Sequence, residues 1–312
     1  MAQGSTRVVL IALAGNGAIA LAKFAAAAIS GSTAMLTEAI HSLVDTGDQL
    51  FLLIGQRRGA RPADETHPLG YGMETYFWSF IVALMVFFLG GVLSIYEGVR
   101  HILQPGEVVS PWISLGVLAI SAVFEGTSFR VGYREYKRIV RGAPINLWGF
   151  IKGSKDPGMV SVLLEDSAAL IGIVLAAVGV IATSFLHVPW ADGAASVAIG
   201  LLLACVAFVL ANETRSLIAG ESVAPIVMDR LKETLDAINC ITRLDDIATL
   251  HLGPGAILVA LTLTFRPKAT SASIDAAIAE ITQCLQATDG RVAFVYVRPS
   301  HTDAAAATTA PG

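Results

Sequence analysis

Six apolar runs, each long enough to cross a lipid bilayer, dominate the first two thirds of this 312-residue chain. A helix needs about 20 predominantly apolar residues to span the hydrocarbon core. The runs cover residues 7–29, 33–56, 75–103, 111–136, 159–186 and 190–212. We therefore predict a membrane all-α fold over residues 1–212, built as a six-transmembrane-helix bundle.

The low content of charged residues supports this prediction. Charged residues make up 15% of the chain and apolar residues 54%, whereas soluble domains average about 25% and about 45–50%. Such a chain has too little charge to cover a water-facing surface, and membrane lipid is its expected surrounding. The net charge of −4 argues against a nucleic-acid partner, because phosphate binding needs a basic face.

Basic residues are concentrated in alternate loops. Arginines and lysines occur in the loops at 56–74 and 134–155, while the other connections are nearly uncharged. The positive-inside rule makes both basic loops cytoplasmic. We therefore expect a multi-pass protein of the cell inner membrane with cytoplasmic N- and C-termini. The first apolar run has no small-residue cleavage site after it, so we expect it to be retained as a span.

The region after residue 212 has the pattern of a water-soluble domain. We predict helices at 228–238 and 273–287 and strands at 241–252, 256–265 and 292–297. This αββαβ order predicts a small α+β domain over 213–302, with helices on one face of a sheet. Residues 303–312 have no apolar pattern, and we predict that they are disordered.

Ionisable residues within the second apolar run are candidates for a binding site. A central charge costs about 2.5–3.5 kcal/mol on insertion scales, so such groups mark substrate or proton pathways. His41 and Asp45 are four residues apart, which places them on one face of a helix. An imidazole and a carboxylate so placed form half of a site for a divalent ion such as zinc. Glu38 lies near the same face as a neighbour or proton carrier.

The fifth run offers two adjacent acids, Glu165 and Asp166. Adjacent helical side chains point about 100° apart, so only one of them is expected to face His41 and Asp45 directly. The alternative is that these acids are hydrated charges at the lipid boundary. Glu125 and Asp192 are further candidates for supporting or proton-path roles.

Four segments carry a resemblance to a known family. They are HSLVD at 41–45, HPLGYGMET at 67–75, SIYEGVRHIL at 94–103 and EDSAALIG at 165–172. From about residue 7 to 300, the chain resembles the cation diffusion facilitators, antiporters that exchange a divalent metal for protons. The adjacent acids resemble the branch that includes the mitochondrial zinc transporters of animals.

The resemblance implies a metal site of His41 and Asp45 from the second helix and Asp166 from the fifth. Four residues before Asp166, where the family usually has a histidine, this chain has Val162. Glu165 is the best substitute as the fourth ligand. The family's accessory loop site is matched by Asp64 and His67 but ends in Tyr71, so we interpret this loop mainly as structure.

The resemblance further implies a homodimer, a ferredoxin-like, metallochaperone-like cytoplasmic domain, and transport rather than catalysis. The expected substrate is zinc, exported against protons, with no prosthetic group. Manganese, iron, cobalt and nickel are alternative substrates. A non-transporting metal sensor or partner subunit, and an intramembrane metalloenzyme with zinc at His41, Asp45 and Asp166, are the alternatives from other classes. The chain has no P-loop motif, so an ion gradient would supply the energy.

Overall fold

The structure, a computed structural model, describes a chain that is helical in its first part and mixed in its last part. The described residues are 2–105, 110–140, 146–238, 241–266 and 270–300, with side chains described from residue 16 onward. The predicted tail at 303–312 lies outside the described residues. The chain divides into two compact units, Met1–Arg57 with Thr75–Arg215, and Arg58–Glu74 with Ser216–Gly312.

Each of the six predicted apolar runs lies on a helix of the first unit. The helices are α1 (Ala2–Ser30), α2 (Thr33–Gly59), α3 (Glu74–Met85) continuing through a π-helical segment (Val86–Val92) into α4 (Leu93–Leu103), α5 (Pro111–Val140), α7 (Pro157–Phe185) and α8 (Ala191–Ile218), with the short α6 at Leu147–Gly153. The last long helix continues six residues past its predicted end at 212. The apolar run ends there, but the polar residues that follow are compatible with a helix.

Four of the described helices are long and apolar enough to cross a membrane: Glu74–Leu103, Pro111–Val140, Pro157–Phe185 and Ala191–Ile218. The described, apolar part of α1 is Asn16–Ser30, which is shorter. Helix α2 has 27 residues, but its acids Glu38, Asp45 and Asp48 lower its hydropathy. The chain is therefore a multi-pass membrane protein in which the helix with most polar residues is the one that carries the candidate site.

Glycines allow the continuous helix Glu74–Leu103 to approach α8 closely. A Cβ atom placed on Gly98 would lie 2.7 Å from the carbonyl oxygen of Gly193. One placed on Gly91 would lie 3.2 Å from that of Gly200. Small residues are the usual means by which membrane helices bring their backbones together. The π-helical segment at Val86–Val92 contains Gly91, and the hydropathy pattern gave no sign of it.

Helix α7 has a well-defined start. Asp156 accepts hydrogen bonds from the backbone N–H groups of Gly158 and Met159, at 3.1 and 3.4 Å. Pro157 occupies the first turn, where its missing N–H costs no helical hydrogen bond. These features fix the point at which α7 begins, eight residues before Glu165.

The second unit contains α9 (Pro225–Asp236), β1 (Ile241–Gly253), β2 (Ala256–Phe265), α10 (Ser271–Thr288) and β3 (Val292–Ser300). The order of these elements agrees with the predicted αββαβ order. Strands β1 and β2 pair antiparallel, and β2 and β3 pair parallel. Apolar residues of both helices and the sheet form one core, including Leu231, Val259 and Ile281. In the same unit, Gly72 lies against the backbone of Leu252 and Gly253.

Candidate functional site

Helix α2 carries four ionisable residues in a row along one side: Glu38, His41, Asp45 and Asp48. Their spacings of three, four and three residues bring them to one face of the helix. Glu38, His41 and Asp48 are buried, and Asp45 is half-buried. The prediction that His41 and Asp45 share a face is therefore borne out by the geometry of α2, while their role as ligands stays a prediction.

Glu38, the first of these acids, forms an ion pair with a lysine. The Lys23 Nζ on α1 donates a hydrogen bond to Glu38 Oε2 at 3.0 Å and to Ser42 Oγ at 2.7 Å. Both charged side chains are 0% exposed. The second carboxylate oxygen of Glu38 faces Gly172 on α7, where any Cβ atom would collide with it. Glu38 is thus neutralised by α1 and enclosed by α7.

His41 and Asp45 lie one turn further along α2. The His41 Nδ1 is 3.3 Å from Asp45 Oδ1, but the two atoms do not have hydrogen-bond geometry, and neither has a hydrogen-bond partner among the described residues. The His41 Nε2 also lacks a partner there. The two ring nitrogens of His41 and the Oδ1 atom of Asp45 are therefore not occupied by protein hydrogen bonds in the described structure.

The two adjacent acids of α7 face different neighbours. An oxygen of Glu165 lies with oxygens of Asp45 and Asp48 in a group whose atoms are all within 4.8 Å of one another. Asp166 Oδ2 instead accepts a hydrogen bond from Ser128 Oγ on α5, at 2.8 Å. The structure thus brings Glu165 next to the acids of α2 and turns Asp166 toward α5, as the 100° angle between adjacent helical residues requires.

A cavity with a mixed polar and apolar lining borders Asp45, Glu165 and Asp166. Its volume is about 320 Å³. Its walls come from α1, α2, α5 and α7, with polar contributions from Asn16, Ser42, Asp45, Gln49, Glu125, Thr127, Ser128, Glu165 and Asp166. Three of the four predicted ligands, Asp45, Glu165 and Asp166, therefore border one space, and the Nδ1 atom of His41 lies 3.3 Å from Asp45 Oδ1. Glu125, considered for a supporting role, borders the same space.

Asp48 lies with Asp45 and Glu165 although it is not among the ligands predicted from the sequence. It is three residues after Asp45 and seven after His41. This continuation of the helical spacing was visible in the sequence. The sequence offered no means of deciding whether Asp48 faced the bundle or the lipid.

Asp192 has a structural role. Its carboxylate accepts hydrogen bonds from Ser32 Oγ at 2.7 Å and from the backbone N–H groups of Thr33 and Ala34. These groups lie at the start of α2, where unpaired N–H groups favour a negative partner. Asp192 therefore caps α2 and holds it beside the start of α8.

The accessory loop is organised by its aspartate. Asp64 accepts hydrogen bonds from the Tyr71 hydroxyl at 2.6 Å, from the Thr66 hydroxyl and from the His67 backbone N–H. Together these hydrogen bonds hold the pKa of Asp64 below its usual range, and the bond from Tyr71 has the largest effect. The His67 and Tyr71 rings stack with centroids 4.0 Å apart. The loop contacts agree with the interpretation of Tyr71 as structural.

A bundle of apolar helices that encloses acidic residues from two helices beside a cavity defines a class: polytopic membrane proteins with ionisable groups inside the membrane, where such groups mark ion or proton pathways. The family model for the cation efflux transmembrane domain matches residues 9–219. The chain belongs to the cation diffusion facilitator family, a family of transporters, which confirms the resemblance found in the sequence.

Relatives indicate the branch. The chain is 34% identical over 256 residues to the human protein "Proton-coupled zinc antiporter SLC30A9, mitochondrial", covering 82% of this chain and 45% of the relative. It is 29% identical to "Metal tolerance protein C4" of Arabidopsis thaliana, covering 81% and 56%. It is 24% identical to "Manganese efflux system protein MneS" of Bacillus subtilis, covering 71% and 70%. The chain spans about half the length of the first two relatives.

Proposed function

We propose that this chain exports a divalent metal ion, with zinc as the first candidate, in exchange for protons. The observation that carries this proposal is the cavity inside the helical bundle at which carboxylates of Asp45 on α2 and Glu165 on α7 converge. Carboxylates buried among apolar helices are costly unless they bind a cation or protons. The predicted ligand set is His41, Asp45, Asp166 and Glu165.

Exchange follows from the chemistry of these ligands. Carboxylates and imidazoles must lose their protons to bind a metal, so metal and protons compete for the same atoms. An ion that enters from the cytoplasm displaces protons, and protons from the other side later displace the ion. The bundle changes its access between the two events. No resident prosthetic group is needed, because the metal is the cargo.

The names of the relatives support this reaction class and zinc as the ion. The human relative is named a proton-coupled zinc antiporter, and the Bacillus relative is named a manganese efflux protein. Manganese is therefore the second candidate, favoured by the grouping of three carboxylates, since hard oxygen ligands suit manganese.

Transport in proteoliposomes tests the proposal. The full chain is reconstituted with a pH-sensitive dye and a zinc-sensitive dye enclosed, and zinc is added outside. We expect zinc entry with a simultaneous outward movement of protons, and no such coupling in Asp45→Asn. Asp246→Asn, which removes an exposed acid of β1, is the matched control and should behave as wild type. Zinc binding without any transport would instead indicate a sensor or partner subunit.

The finer architecture belongs to the same proposal. It comprises six spans over residues 1–212, a ferredoxin-like cytoplasmic domain over 213–302 and a homodimer in the cell inner membrane with both termini in the cytoplasm. The basic loops support this orientation. Single cysteines at Arg61 and Gln104, in a chain without its native cysteines, should label from opposite sides. Fractionation distinguishes this membrane from the mitochondrial one in the human relative's name.

A further inference from the structure

We propose that Asp48 is a direct ligand of the transported ion, so that Asp45, Asp48 and Glu165 together form an all-carboxylate cation site. This inference rests on the proposed function and extends it. It adds a residue outside the predicted ligand set of His41, Asp45, Asp166 and Glu165. We call these three residues the carboxylate cluster.

The first argument is the distance between the three carboxylates. One oxygen from each residue lies within 4.8 Å of the other two. Asp48 comes from α2, one turn beyond Asp45, and Glu165 comes from α7. Three atoms from two helices at such separations can all contact one ion placed between them, because metal–oxygen distances are about 2.0–2.6 Å.

The second argument is that Asp48 has nothing else to bind. Its side chain is 0% exposed, and neither of its carboxylate oxygens has a hydrogen-bond partner within the part of the chain that the structure describes. Glu165 is 7% exposed, and its Oε1 likewise has no partner in the described ranges. Buried polar groups nearly always have a hydrogen-bond partner, so several buried carboxylate oxygens without one point to a ligand that binds them.

Three other acids in the bundle each have a partner from the protein itself. Lys23 neutralises Glu38, and Asp192 caps α2. Asp166 accepts a hydrogen bond from Ser128. Lys23 donates its hydrogen bonds to Glu38 and Ser42 and not to the carboxylate cluster. The cluster thus has no basic hydrogen-bond partner among the described residues, and a metal ion or protons would supply its positive charge.

The donor set defines the ion. Three carboxylates are hard oxygen ligands, which suit manganese and magnesium as well as zinc. The imidazole of His41 is not a member of this group of three carboxylates. Asp48 therefore shifts the preference of the site toward harder ions, and replacing it should reduce manganese binding more than zinc binding.

Metal binding to the purified full chain in detergent tests the assignment. Equilibrium dialysis with zinc chloride and with manganese chloride gives the affinities of wild type, Asp48→Asn and the control Asp246→Asn. We expect Asp48→Asn to bind manganese at least about tenfold more weakly, because even the loss of a group that only supports a metal ligand costs about 10–100-fold in affinity. The control should match wild type. Wild-type affinity for both ions in Asp48→Asn would overturn the assignment.

Thermal unfolding separates a ligand from a structural residue. Without metal, Asp48→Asn should unfold at or above the wild-type temperature, because it removes one of three like charges. The increase that metal produces in the wild-type unfolding temperature should shrink in the variant, as linkage requires. A lower unfolding temperature without metal, combined with an unchanged increase on adding metal, would make Asp48 a structural residue.

A measurement on the unsubstituted chain covers the case in which Asp48→Asn fails to fold. A lipid-soluble carbodiimide labels buried carboxyl groups, and mass spectrometry locates the label. We expect zinc or manganese to protect Asp48, and equal labelling with and without metal would overturn the assignment. Wild-type exchange of zinc for protons with unprotected Asp48 would contradict this inference alone. A wild-type chain that moves no metal would contradict the proposed function.

Discussion

Helix α2 holds acids in two contrasting environments. Near its start, Glu38 is fully buried and paired with Lys23 at 3.0 Å. Three turns later, Asp48 is equally buried but lies beside two other carboxylates with no basic partner in the described structure. The comparison teaches that burial alone does not mark a functional charge. A charge that the protein already neutralises belongs to the framework, and one left for an external cation belongs to the site.

The largest effect is expected at the neutralised pair. Lys23→Met leaves Glu38 buried without its partner, and breaking a buried ion pair in this way costs about 3–5 kcal/mol. The double variant Lys23→Met, Glu38→Gln should recover most of that stability. The measurement is denaturant unfolding of the purified chain in detergent. A double variant as unstable as the single one would show that the pair is not a unit.

The next effect distinguishes the two acids of α7. Glu165→Gln should reduce zinc-driven proton movement by at least about tenfold, because even the loss of a group that only supports a metal ligand costs about 10–100-fold. Asp166→Asn should reduce it less, because Asp166 is turned toward Ser128. Initial rates in proteoliposomes measure both. The reverse order would place Asp166, not Glu165, against the ion, as the family resemblance implies.

A smaller effect is expected from the surface of α7 that encloses the pair. Gly172→Ala adds a methyl group that collides with Glu38 Oε1 and pushes the carboxylate away from Lys23. Overpacking of this kind costs about 1–3 kcal/mol. Unfolding experiments measure it, with Gly116→Ala as the control, because a Cβ atom there meets nothing within 4 Å. An equal effect of the two substitutions would contradict the contact.

The smallest effect is expected in the accessory loop, outside the membrane. Tyr71→Phe removes the first hydrogen bond that lowers the pKa of Asp64, so this pKa should rise toward the usual value of about 3.9. A lowered pKa stabilises the loop above the unfolded-state pKa, and that stabilisation is lost as pH falls through the folded-state pKa. NMR titration of labelled aspartate measures the change. Zinc transport near neutral pH should remain at the wild-type rate, and a loss as severe as that of Asp45→Asn would contradict a structural role.

The sequence contained the local part of this arrangement. Apolar runs predicted the long helices, because length and hydropathy are local properties. The four-residue spacing predicted that His41 and Asp45 share a face. The αββαβ order followed from the change of period and from the turn at Gly253–Gly255.

The rest depends on how helices are rotated against one another. Glu165 rather than Asp166 faces α2 because of the packing of α7 against α5 and α2, which no local pattern records. The pairing of Lys23 with Glu38 joins two helices whose relative rotation is likewise set by packing. The helical spacing of Asp48 places it on the same face as His41 and Asp45, but only the assembled bundle shows that it is buried beside Glu165.

The pair of Lys23 and Glu38 has an electrical consequence for the proposed exchange across a membrane potential. Moving one elementary charge through 100 mV involves about 2.3 kcal/mol. Lys23 and Glu38 sum to zero charge and are held together at 3.0 Å, so the potential does no net work on them when the helices move. A voltage dependence of exchange would therefore report on the acids around the cavity and their cargo, and not on the first acid of α2.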